Sequence, residues 1–278
     1  MKTVNSVSGG QTSAYLMANY PADFNLYAFV ETEKESCRYK GEHRQYAEDK
    51  LGRTFVGTLE DDVIIQTLRD LEQYTGQGIT WVDSPTFEQV RKKKGKYLPN
   101  KAQRYCTQEM KVRPIAQHVV EKIGAPVVMR FGYRASEQGR AKKMLERCNE
   151  DGLIVAKVIY KRGKRNRWAE VPYQKPEFPL IADNVRRDTI VNYWRGKPVK
   201  FAVLNNCVTC FHRNAMALNQ LAQLHPEKFE YWAQLEQDTG GRFKTDVTYR
   251  EIIDYRTQLS LPLADIEDEA CGTGYCGL

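Results

Sequence analysis

The sequence predicts an α/β protein, a parallel sheet with crossover helices followed by a mainly helical C-terminal portion. Three observations predict it. A short strand-like run at residues 3–7 meets a glycine pair and then a helical run at 14–19. Strand-like and helix-like segments alternate over about the first 135 residues, as βαβ units do. From residue 215 onward the apolar spacing is helical.

Each element follows in turn. Residues 25–30 (Asn-Leu-Tyr-Ala-Phe-Val) are a second strand, 38–50 a polar surface helix and 53–56 a third strand. Apolar side chains at 59, 63, 64, 68 and 71 form a helical stripe. Residues 72–105, punctuated by Gly76, Gly78, Pro85, Gly95 and Pro99, are expected to be a long irregular loop or lid. Pro114 suits the first turn of a helix that Gly124 ends. Residues 126–132 are the strongest strand, and 153–160 are another. The basic loop 161–167 joins the latter to 168–173. Helices are expected at 188–194, 215–224, 226–237 and 249–259.

Composition narrows the function classes. Hydrophobic content of 41% and charged content of 28% are ordinary for a globular chain of 278 residues. No run approaches the roughly 20 apolar residues of a membrane span, and the first residues lack the apolar core of a signal peptide. A cytoplasmic setting with no membrane partner is the expectation. Seven cysteines, an odd number, do not read as a secreted disulfide framework, and clustered thiols in a reducing compartment bind metal. The net charge of +7 suits an anionic partner.

The most informative stretch is Ser8, Gly9, Gly10, Gln11, Thr12 and Ser13. Two glycines let backbone amides approach an anion closely. The helix behind them aims its dipole and free N–H groups at the same point. Three hydroxyls add donors. That is the chemistry of a pyrophosphate cradle. No Gly-Lys-Ser/Thr closes it as in a Walker loop, and a dinucleotide fingerprint would need a third glycine. The plain alternative is an ordinary turn between strand and helix.

Other constellations follow. Arg104, Tyr105, Cys106 and Thr107, with Lys111 and Arg113, place a thiol and cations at the mouth of a helix. Such a site holds phosphate or sulfate and lowers a thiol pKa. Cys207-Val-Thr-Cys210 has the spacing of two thiolates on one metal or cluster, with further ligands from Cys106, His212, Cys271 or Cys276. Cys37 and Cys148 read as structural. Arg134, Glu137 and Arg140 follow the strongest strand, where ligands of open parallel sheets bind. The clusters 91–97 and 161–168 combine cations with an aromatic, a pairing that single-stranded nucleic acid uses and solvated loops also show.

In this order the segments resemble the phosphoadenosine phosphosulfate (PAPS) reductase family of the PP-loop, or adenine nucleotide α-hydrolase, superfamily, in its compact phage and mobile-element form. The matching stretches are 8–17, 98–100, 104–107, 111–114, 132–137, 178–180 and 206–211. The resemblance implies a doubly wound core with a nucleotide-binding domain over 1–180 and a helical, cysteine-bearing region over 181–278. It implies ATP or an adenylyl sulfate nucleotide on residues 8–13, with Mg²⁺ on the pyrophosphate. Arg104, Arg113 and Glu137 then join the nucleotide site, and Lys111 and Arg134 are catalytic.

A [4Fe–4S] cluster would be held by Cys106, Cys207, Cys210 and Cys276, with Thr107 standing where cluster-bearing relatives have a second cysteine. The expected activity is adenylation of a substrate with pyrophosphate release, for sulfur transfer or nucleotide modification. Its acceptor would be tRNA, DNA or a small metabolite, served by a sulfur donor. One alternative is a reductase in which Cys276 attacks the sulfonyl sulfur and a thioredoxin-like protein supplies electrons. Another is a nucleic-acid-binding module built on Zn²⁺.

Overall fold

The computed structural model describes residues 1–204 and 207–255. Six strands form one sheet: β1 (Thr3–Val7), β2 (Phe24–Ala28), β5 (Thr80–Val82), β6 (Val127–Arg130), β7 (Ile154–Lys161) and β8 (Arg167–Glu177). Their order is β5-β2-β1-β6-β8-β7. All neighbours run parallel except the β7–β8 hairpin. Two short strands, β3 (Glu31–Thr32) and β4 (Gly57–Thr58), pair antiparallel beside it.

Alternation along β2 shows how the sheet is covered. Tyr27 packs with Leu16, Met17, Ile64 and Leu68 on one face. Leu26 and Ala28 pack with Ile115, Val119 and Met129 on the other. Helices therefore cover both faces, as in a doubly wound fold. The order reverses between β1 and β6, and that switch point positions everything below. Two buried asparagines share the centre: Asn5 Nδ2 donates to Asn25 Oδ1 (3.1 Å) across the β1–β2 register.

The C-terminal portion is helical, and its residues 217–252 share a core with Phe87 and Val90. Phe87 stacks on Trp232 at 4.8 Å, and Trp232 on Phe243 at 5.0 Å. The helices are Pro179–Ala182, Arg187–Trp194, Ala215–Leu224, Pro226–Thr239 and Tyr249–Asp254. The remainder of the expected 249–259 helix lies outside the described residues.

Several expectations are corrected. Residues 53–56 pair into no strand; the extended pair falls one step later, at Gly57–Thr58. The surface helix is shorter than expected, Arg44–Leu51. The 59–71 stripe becomes the helix Val63–Thr75, because the Asp61 carboxylate accepts from the Val63 N–H at 2.9 Å and starts the helix there. Residues 72–105 are not a featureless lid. They contain β5 and the helix Phe87–Lys93, which Thr86 caps by accepting from the Gln89 N–H.

Pro114 lies in the first turn of the helix Arg113–His118, as expected, but that helix has helical residues ahead of it. A helical run begins at Tyr105 and continues to Ile123 through Tyr105–Thr107, Gln108–Val112, Arg113–His118 and Val119–Ile123. Proline has no N–H to give, and the turn before it, Gln108–Val112, widens to a π turn. Among the described residues, no helix is long and apolar enough to cross a membrane.

Candidate functional site

The loop at residues 8–13 closes on itself through one hydroxyl. Ser13 is buried, and its Oγ donates to the Gly10 carbonyl at 3.0 Å. The same oxygen accepts from the Ser8 N–H and lies 3.1 Å from the Ser8 Oγ. Its single proton is committed to Gly10, so the Ser8 hydroxyl is the donor between the two. Ser13 thus shapes the loop and is not an outward-facing donor as its position in the motif suggested.

Gly9 has φ +73°, the left-handed region. A Cβ there would lie 2.7 Å from Ile64 Cγ2. Gly10, in extended conformation, precedes the helix Gln11–Asn19 and brings no side chain to its first N–H groups. Those amides are the usual orphans of a helix start. Gln11 and Thr12 are half-buried, and the Gln11 carbonyl accepts from the Trp194 indole at 3.0 Å. Gly132, just past β6, comes so close that a Cβ would sit 3.3 Å from Ser13 N and Cα. Backbone donors, a helix dipole and two glycine close approaches therefore meet at the switch point, an arrangement fit to hold an anion.

The segment after β6 adds charge beside it. The Glu137 carboxylate accepts from the Arg134 N–H (2.8 Å) and Nε (3.1 Å), and pairs with the Arg140 guanidinium. Arg140 also stands over the Tyr133 ring at 4.3 Å. Burial pushes the Glu137 carboxyl up, but the Arg140 charge and the Arg134 hydrogen bonds outweigh it and hold it below the usual carboxylate range. Its stabilisation is therefore complete above the unfolded-state pKa and lost as pH falls through the folded one. The destabilisation caused by Glu137→Gln should be largest near neutral pH and fade under acid. Thermal melts of both proteins from pH 7 to pH 3 check it.

Lys111 points elsewhere. Its Nζ donates to Glu60 Oε1 at 2.9 Å, and Tyr27 Oη donates to Glu60 Oε2 at 2.5 Å. Glu60 is 1% exposed. Burial, together with the Glu60 charge, raises the Tyr27 phenol well above its ordinary value. Glu60 also bridges to Cys207 through the backbone. Sequence reading missed Glu60 and Tyr27. The available signal was the acidic run Glu60, Asp61 and Asp62 just ahead of the apolar stripe. Lys228 ties this run down, donating to the Glu60 carbonyl (2.5 Å) and Asp62 Oδ1 (2.9 Å).

Cys106, Cys207 and Cys210 come together. They line one cavity of about 70 Å³ with Arg104, Lys111 and His212. Burial pushes the Cys106 thiol up to about 11 and the Cys207 thiol higher still. The lowered Cys106 pKa expected from nearby cations is thus reversed, because burial outweighs the Arg104 charge. Burial also lowers His212 to about 4. Among the described residues, no group of three or more His, Cys, Asp or Glu side chains is arranged to hold a metal ion. Cys271 and Cys276 lie outside the described residues.

The predicted cations divide among three places. Arg134 stays beside the strand-end loop, while Arg104 joins the cysteine cavity. Arg113 pairs with Glu109 and stands over the Trp168 ring at 5.3 Å, in a separate groove. Arg113 makes no hydrogen bond or ion pair with the loop among the described residues. Cys37 is buried, as a structural thiol should be.

No family model, curated protein or solved structure matches this chain.

Proposed function

We propose that the chain is a PP-loop enzyme of the PAPS reductase type. It binds ATP or a related adenylyl nucleotide on residues 8–13 and adenylates a substrate with release of pyrophosphate, for sulfur transfer or nucleotide modification in the cytoplasm. The observation that carries this reading is the loop itself. Gly9 and Gly132 exclude side chains from its surroundings, Ser13 holds its shape, and its amides sit at the strand-order reversal.

In this mechanism the amides following Gly10 hold the departing pyrophosphate, a preorganised donor set that needs no rearrangement as charge develops. Arg134, fixed by Glu137, stands by for the remaining phosphate charge. Mg²⁺, when bound, would neutralise the pyrophosphate. Lys111 is a positioning residue, since Glu60 holds it at the wall of the cysteine cavity.

Three thiols lining one cavity are the donor type of an iron–sulfur cluster, although as placed they do not converge on one metal position. Cys106, Cys207 and Cys210 would hold it, with the fourth ligand from Cys276 or Cys271. Such a cluster would supply a sulfur-binding iron.

Anaerobically purified protein incubated with ATP and Mg²⁺ should yield AMP and pyrophosphate and contain iron with labile sulfide. Sulfite release from an adenylyl sulfate, with no pyrophosphate from ATP, would overturn adenylation in favour of reduction. One zinc per chain and no nucleotide affinity would overturn the enzyme reading.

A further inference from the structure

Two basic clusters far apart in sequence each send residues to the same groove. Residues 91–96 hold five cations in six positions, and 161–167 hold five in seven, with no acidic residue in either. The groove has a volume of about 1010 Å³, and Lys93, Arg162 and Trp168 all line it. Its walls are residues 82–86 with the helix Phe87–Lys93, the run 109–122, and the β7–β8 hairpin.

Of the five carboxylates that line the groove, four are paired with cations, Glu31 and Asp83 with Arg53, Glu109 with Arg113 and Glu121 with Arg162, and the fifth, Glu33, accepts from the Thr86 hydroxyl and the Gln89 amide. Of the two clusters, Lys93, Arg162, Asn166 and Trp168 line the groove, and their chain neighbours Lys92, Lys96, Lys164, Arg165 and Arg167 are exposed and form no ion pair among the described residues. Trp168 keeps 39% of its surface exposed, and the Arg113 guanidinium stands over its ring. Exposed cations from both clusters beside the groove, with a presented aromatic among its lining residues, match a phosphodiester backbone with unstacked bases. A duplex hides those base faces within its stack, so an exposed indole in the groove favours a single strand.

We propose that this groove binds single-stranded nucleic acid. The cations of the two clusters follow the backbone and a base stacks at Trp168. The same helical run borders the cysteine cavity through Cys106 and Lys111 and the groove through Glu109 and Arg113. The bound strand is accordingly the acceptor of the activation step. That last assignment rests on the adenylation reading above; binding to the groove does not.

Fluorescence anisotropy with a labelled 20-nucleotide single strand, as RNA and as DNA, tests the proposal on the full chain. Binding of either should weaken steeply with added salt. Lys164→Glu with Arg165→Glu should weaken it at least tenfold and flatten the salt dependence. Trp168→Ala should weaken it about tenfold with the salt dependence kept. All these changes are on the surface, and circular dichroism melts confirm folding. No binding by the parent protein, or equal binding by both variants, overturns the proposal. Calorimetry with ATP on the same samples separates the two claims. ATP binding without strand binding defeats only the groove, and strand binding without ATP binding defeats only the adenylation centre.

Discussion

Gly9→Val should abolish adenine nucleotide binding while leaving a folded protein. At φ +73° a β-branched residue sits in the left-handed region, at a cost of about 1–2 kcal/mol. Its Cβ would also overlap Ile64 Cγ2 at 2.7 Å, and such overpacking adds roughly 1–3 kcal/mol. The loop must shift to relieve both, taking its amides out of line. Losing two charge-assisted hydrogen bonds of about 1.5–3 kcal/mol each corresponds to a hundredfold or greater fall in affinity. Titration calorimetry with ATP and Mg²⁺ reads it. Gly52→Ala is the control, because Gly52 has φ +68° but nothing within 4 Å of its missing Cβ. It should lose a little stability and no affinity.

Glu60→Ala should be the most destabilising single change near the site. It removes one acceptor shared by the Lys111 ammonium and the Tyr27 hydroxyl, in a place 1% exposed. Breaking a buried ion pair from one side costs about 3–5 kcal/mol, or roughly 10 °C in Tm for a chain of this size. The triple variant Tyr27→Phe, Glu60→Leu, Lys111→Met removes all three polar groups together and should regain most of that stability. It should not regain pyrophosphate release, because Lys111 is gone. Full activity in the triple variant would show that the trio serves only the fold. Thermal melts and pyrophosphate assays on both proteins decide it.

The legible parts of this molecule were the local ones. Strand, glycine pair and helix at residues 3–19 are contiguous, so the local arrangement could be read directly. Even there the role of Ser13 was not visible, because its hydroxyl turns back to Gly10. The β7–β8 hairpin was legible as two strands and a basic loop, but not its partner across the groove. The Glu60–Lys111 pair spans 51 positions of sequence and no local pattern announces it. Short elements were lost for a different reason. β5 and the helix Phe87–Lys93 sit among glycines and prolines, and their signals, a buried Trp81 and the Thr86 cap, are too brief to register as periodicity. Pro114 marked the first turn of Arg113–His118 but hid the helical run ahead of it, because the widened turn that joins the two follows from the whole run and not from its neighbours.

Hydrogen–deuterium exchange with and without ATP and Mg²⁺ reaches the central claim most directly. A nucleotide seated at the strand-order reversal should slow exchange in peptides covering 8–17 and 132–140, and leave 44–51 unchanged. Saturating nucleotide that protects neither peptide, or protects only a region remote from both, would contradict it.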